Sequence, residues 1–198
     1  MELKEKEPAF WSIKEAVLPF KKFAGVDPVL SPEMKSTGEV MSSDQDFWGA
    51  LYKSFLASSS PLPLSGKVLV HDPMGQHEPL CQNLKRDLED LELKVQVITG
   101  NSEEHDPESL LQEVNLLVSL ASSKQVGILE RRLRLIALDR QIPLITTSKV
   151  ASYLAQTIEY GKKTESLKVS SLQEQETIRS ATNSLKRSAE RKNDDLRI

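Results

Sequence analysis

The 198-residue chain has one cysteine, Cys81, which excludes an intramolecular disulfide and fits a reducing compartment. No apolar run approaches the ~18 residues of a membrane-spanning helix. Met1 to Phe10 is charged and has none of the apolar stretch of a secretory signal. Charge of one sign is missing too. A net charge of −3 gives no general attraction to nucleic acid or to an anionic membrane. The basic pairs Lys162-Lys163, Lys186-Arg187 and Arg191-Lys192 are interspersed with acids, as on a solvated helix. His71, Asp72, His77, Glu78 and Cys81 are close in sequence, but no Cys-x-x-Cys or His-Glu-x-x-His spacing joins them. They read as polar loop residues beside a buried cysteine, and no metal is expected. The expected location is the cytoplasm, or an organelle in a eukaryote.

What is present is enough for a core: 38% of residues are apolar and 28% charged. Pro19, Gly25, Pro28, Pro32 and Gly38 punctuate residues 1–41 and predict short strands and turns. Phe47, Trp48, Leu51, Phe55 and Leu56 predict an amphipathic helix over 44–57, capped by Ser43 or Asp44. Residues 58–65, with Pro61 and Pro63, read as an extended linker.

Residues 66–160 alternate between two periods. Strands are predicted at Lys67–His71, Leu93–Thr99, Asn115–Leu120 and Pro143–Thr146. Between them come helices carrying Leu80, Leu84, Leu88 and Leu91, then Glu108–Glu113, Gly127–Arg140 and Val150–Tyr160. The fold class is therefore α/β, a small parallel sheet covered by helices on both faces, with ligands directed to the carboxyl ends of the strands. Residues 161–198 are a polar tail, loosely helical or disordered, in which Ser171 and Glu174 form a capping box.

The string Ile13-Lys14-Glu15-Ala16-Val17-Leu18-Pro19-Phe20, then Gly25-Val26-Asp27-Pro28, then Pro32-Glu33-Met34-Lys35-Ser36-Thr37-Gly38-Glu39-Val40-Met41, resembles one known family. It looks like the end of the second ATP-grasp unit of carbamoyl phosphate synthetase large subunits. The following zones keep that family's order of helix, linker and a small domain resembling methylglyoxal synthase, in which Arg134, Ala137, Ile142-Pro143-Leu144 and Thr146-Thr147 are similar. The resemblance covers residues 8–160. It implies an ATP-grasp remnant over 1–57, a linker over 58–65, a regulatory domain over 66–160 and a tail over 161–198. It further implies service in arginine and pyrimidine biosynthesis. ATP and magnesium serve the family enzyme through residues upstream of the matched segment, so no cofactor is expected in this chain and no catalysis by it alone. The rest of such an enzyme, or a second copy of the chain, is the implied partner. Trp11, Phe20, Phe23, Trp48 and Phe55 are expected to pack on a domain outside it.

At the carboxyl ends of the strands a small anionic effector would meet Ser119, Ser122, Ser123, Lys124, Thr146 and Thr147, unless 119–124 are a simple strand-to-helix turn, and by resemblance it would also meet Arg134. By resemblance, Glu15, Leu18, Leu30 and Glu39 would line an inter-domain ligand site or the carbamate path, with Glu39 turned inward; the plainer reading is a tight turn that uses Gly38 at positive φ and leaves Glu39 solvated. Several positions depart from the family pattern. The phosphate-cradling turn reads Thr99-Gly100-Asn101-Ser102-Glu103-Glu104, with two carboxylates that repel a dianion. Ser119 replaces an asparagine, Leu135 a second arginine, and Ile145 an acid. Two other readings follow. One is an interaction module that kept the fold and lost effector binding. The other is a methylglyoxal-forming lyase, whose candidate catalytic residues are Asp72 and His77.

Overall fold

The computed structural model describes residues 10–17, 38–58, 60–100, 105–120, 127–171 and 173–178. Two strands, β1 (Trp11–Val17) and β2 (Gly38–Asp44), pair antiparallel from Trp11↔Asp44 to Val17↔Gly38. Gly38 is not the positive-φ turn residue predicted from sequence; it opens β2. It is small for another reason, since a Cβ there would lie 2.8 Å from the Val17 carbonyl oxygen.

Helix α1 (Phe47–Ala57) follows β2 almost directly. Its cap is Asp46, whose carboxylate accepts the Trp48 N–H at 3.0 Å, and not Ser43 or Asp44 as the sequence predicts. Asp44 ends β2 and pairs with Lys53 at 2.7 Å. Phe55, expected to face a domain outside the chain, is buried in this chain's own core beside Leu51 and Leu62. The reason is α1's packing against α6 (Leu154–Lys163). Gly49 lies under Tyr160, and Gly161 lies under the Tyr52 ring, so the two helices approach closely. Trp11 remains 48% exposed, set edge-on to Phe47, while Phe47 and Trp48 both meet the Tyr153 ring. Phe20 and Phe23 lie outside the described residues.

The chain then alternates through β3 (Lys67–Asp72), α2 (Glu78–Glu89), β4 (Lys94–Thr99), α3 (Pro107–Leu110), β5 (Val114–Ser119), α4 (Ile128–Asp139), β6 (Leu144–Ile145) and α5 (Ser148–Ala151). Strands β4-β3-β5-β6 form a parallel sheet in that order, as the α/β reading requires. Period-two alternation divides its side chains. Val68, Val70, Leu116 and Val118 join Cys81, Leu84 and Leu88 of α2, Leu154 and Ile158 of α6, and α1. Leu69 and Leu117 face the other way, onto Leu129, Leu133 and Ala137 of α4. The helix predicted to run on to Glu113 stops at Leu110, after starting on an Asp106 cap. The closing helix predicted over 150–160 is broken between α5 and α6 at Ser152-Tyr153. In the tail, Ser171 and Glu174 do form a reciprocal capping box, with hydrogen bonds of 2.6 and 3.2 Å.

Candidate functional site

The strand order reverses direction between β3 and β5. In an open parallel sheet this is where a crevice opens outside the carboxyl ends of the strands. Two polar residues end β3 there, His71 and Asp72, and Ser119 ends β5. His71 and Ser119 are register partners on neighbouring strands. They follow Leu69 and Leu117 two residues on, so alternation directs both toward α4, while Asp72 falls on the α2 side.

On α4, Glu130 and Arg134 stand one position after Leu129 and Leu133. This places them on the helix's inward side, and neither side chain has exposed surface. The Arg134 guanidinium donates to Glu130 Oε1, forming an i,i+4 ion pair. Glu130 Oε2 accepts the Gly127 N–H at 3.3 Å, so the same carboxylate reaches back to the cap of α4. His71, Asp72, Ser119, Glu130 and Arg134 are all at most 1% exposed.

The hydrogen bonds among these groups leave specific vacancies. His71 Nε2 lies 2.8 Å from the Gly100 carbonyl, which can only accept, so Nε2 carries the proton. Burial pushes the imidazole below its ordinary value, against the opposing pull of the Gly100 carbonyl, Glu130 and Asp72. The neutral ring therefore presents Nδ1 as an acceptor, and Nδ1 has no partner among the described residues. Asp72 Oδ2 accepts the His77 N–H at 2.7 Å, while among the same residues its Oδ1 is unpartnered, as is Ser119 Oγ. Burial together with the charges of Asp72 and Glu78 raises the nearby Cys81 thiol to about 11.

Among the described residues the arrangement holds no hydrogen-bonded nucleophile and base. Ser119 Oγ makes no hydrogen bond to His71 or to another described residue, so none of these activates it as a base would. Asp72 contacts His77 through the backbone N–H rather than through the imidazole. Among the described residues, no group of three or more His, Cys, Asp or Glu is placed to hold a metal ion. None of their helices is long and apolar enough to cross a membrane.

Of the residues singled out by sequence, Ser119 and Arg134 come to this edge of the sheet. Thr146 is half-buried just after β6, and Thr147 is exposed and caps α5 by accepting the Val150 N–H at 3.4 Å. Ser122, Ser123, Lys124, Glu103 and Glu104 lie outside the described residues, as do Leu18 and Leu30. Glu15 is on β1, half-buried against α1. Burial raises its carboxyl, against hydrogen bonds from Ser58 and Ser54. Glu39, on β2, is exposed and paired with Lys14 at 2.7 Å. Sequence reasoning missed Glu130 altogether and set His71 aside with the rejected metal cluster. The signals were a glutamate three residues after Gly127 with an arginine four residues further on, and a histidine closing an apolar strand.

No protein-family model matches the chain. Its sequence is 37% identical over 190 residues to the carbamoyl phosphate synthase large chain of Methanosarcina acetivorans, covering 86% of this chain and 18% of that one. This chain is similar to carbamoyl phosphate synthase large chains. The large chain of Methanosarcina barkeri is 39% identical over 189 residues, covering 86% of this chain and 48% of the relative. The protein named carbamoyl phosphate synthase large chain, C-terminal section, of Methanocaldococcus jannaschii is 34% identical over 191 residues, covering 85% of this chain and 30% of that one. The chain thus spans from about a fifth to about half the length of these relatives. Similarity over 86% of the chain cannot be confined to the parallel sheet and its helices; it extends beyond them along the chain.

Proposed function

We propose that this chain works as the C-terminal regulatory and interface segment of a carbamoyl phosphate synthase large chain, in arginine and pyrimidine biosynthesis. One observation carries the reading: 34% identity over 85% of the chain to a relative itself named as the C-terminal section of that enzyme. In this proposal residues 1–57 end an ATP-grasp unit and 58–65 join it to the next domain. Residues 66–160 form a methylglyoxal-synthase-like regulatory domain, and 161–198 are a tail. The partner is the remainder of the large chain, which holds ATP and magnesium and performs the synthesis. Effectors would bind at the carboxyl ends of β3, β5 and β6, near Ser119, Thr146 and Thr147 and with Arg134 of α4 as a cation; Ser122, Ser123 and Lys124, outside the described residues, belong to the same proposal.

The test is reconstitution. A carbamoyl phosphate synthase large chain lacking its corresponding segment is mixed with this chain, and complex formation and ATP- and bicarbonate-dependent carbamoyl phosphate production are measured. Co-elution and restored synthesis are expected, with no bicarbonate-dependent ATP hydrolysis by this chain alone. Failure to associate at micromolar concentrations overturns the proposal.

A second reading, an interaction module without effector binding, draws on the Glu130–Arg134 pair. The arginine that the resemblance offers to an anion is already neutralised inside the fold. Titration with uridine and inosine monophosphates separates the two. Micromolar binding supports regulation, and its absence in a complex that still assembles supports the interface role alone.

A further inference from the structure

The Glu130 carboxylate sits at the start of the 12-residue helix α4, accepts the Gly127 N–H and pairs with Arg134. Backbone N–H groups at a helix start, backed by an arginine, make a docking position for an external oxyanion. A carboxylate three residues into a helix is by itself an ordinary cap. Two further groups mark the position as more than that. Ser119 Oγ and His71 Nδ1 are fully buried, have no hydrogen-bond partner among the described residues, and by alternation from Leu69 and Leu117 stand on the face of the sheet that α4 covers. Leaving such groups unsatisfied is costly unless something is meant to meet them. A hydroxyl donates to an oxyanion, and the neutral Nδ1 accepts from a protonated phosphate oxygen.

We propose that Glu130 is a built-in anion, seated in a latent oxyanion site formed by the start of α4, Arg134 and Ser119. The carboxylate takes the position of a phosphate group, so this edge of the sheet is held in an occupied arrangement without any effector. The ligand class of the unmasked site is inorganic phosphate or a phosphate monoester. Asp72, on the α2 side of the strand ends, adds a negative charge that weakens but does not occupy the seat. The inference rests on the reading of these strand ends as an effector-binding edge.

The probe is inorganic phosphate, followed by calorimetry and thermal melting at pH 7.5, with the intact chain, Glu130→Gln and Glu130→Ser. Freeing one charge-assisted contact is expected to tighten phosphate binding about 30-fold over the parent chain. The gain should vanish when Arg134→Ala is added, and shrink with Ser119→Ala. A Glu130 variant too weak to fold alone should be rescued by phosphate and not by the same concentration of chloride. Phosphate binding unchanged by Glu130→Gln and Glu130→Ser, a gain that survives Arg134→Ala, or variants that phosphate fails to rescue would each overturn the proposal. Failure here, with association in the reconstitution assay intact, leaves the proposed function standing. Unmasked binding without association leaves the site and removes that function.

Discussion

Replacing Arg134 by methionine should be among the most destabilising single changes in the chain. The substitution keeps most of the aliphatic volume and removes the guanidinium. Glu130 is then a carboxylate with no exposed surface, held among the described residues by the Gly127 N–H at 3.3 Å. Breaking a buried pair from one side costs about 3–5 kcal/mol, because the remaining charge stays desolvated and uncompensated. Against the ~5–15 kcal/mol by which a domain is ordinarily stable, that is about a fifth of the total or more. An internal control is available in Lys14–Glu39, an ion pair whose two side chains are each 61% exposed. Solvent screens it, and Lys14→Ala should cost less than about 1 kcal/mol.

Urea denaturation at pH 7.5, followed by circular dichroism and tryptophan fluorescence, reads both. The cycle is completed by Glu130→Leu and the double variant Glu130→Leu/Arg134→Met. Removing both charges leaves neither ion of the pair buried without its counter-charge, so the double variant should be more stable than either single one. The reasoning is refuted if Arg134→Met costs no more than Lys14→Ala, or if the two single costs simply add. Either result would mean that the pair meets water and that the edge of the sheet is open.

Two further outcomes are expected. His71 is buried neutral with its pKa lowered from 6.5, so the unfolded chain takes up a proton that the folded chain refuses. Its contribution is complete above pH 6.5 and is lost as pH falls through the folded-state value; urea midpoints between pH 8 and 5 should fall less steeply for His71→Gln, and an equal slope would count against a buried neutral ring. Gly66 has φ +105°, and a Cβ there would lie 2.1 Å from Asn115 Oδ1, which accepts the Lys67 N–H at 2.9 Å. Gly100, at φ +87°, has open space around it, so both alanine variants carry backbone strain of about 1–3 kcal/mol but only Gly66→Ala also displaces Asn115; equal drops in Tm would refute this.

The parts of the fold that could be read from the chain are those whose cause is local. Val68-Leu69-Val70 and Leu116-Leu117-Val118 are short apolar runs too brief for helices. Leu80, Leu84 and Leu88 keep a single helical stripe. The misread features have tertiary causes. No glycine or proline marks the break between α5 and α6; Tyr153 occupies it, its ring held edge-on by Phe47 and Trp48 from the other end of the chain. The cap of α1 was misplaced by two or three residues because β2 continues to Asp44, leaving only Gln45 and Asp46 to turn the chain.

The candidate site was half legible for a related reason. Ser119 and Arg134 are found by position, at the end of a buried strand and on the helix after it. The charges around them cannot be sorted by counting. Arg131, Arg132 and Arg134 look alike in sequence, as do the many glutamates, and a solvated face explains most of them. Phase separates them: Arg134 follows Leu133 on the inward side and falls one turn after Glu130, while Arg131 and Arg132 are exposed. The convergence of His71 with these residues depends on which strands are neighbours. The order β4-β3-β5-β6 is set by crossover connections and packing, not by the residues within any one strand. Sequence reasoning therefore weighed repulsion of an anion at Glu103 and Glu104, carboxylates read along the chain. The carboxylate that the fold brings against the arginine is Glu130, and its effect is neutralisation by a paired charge.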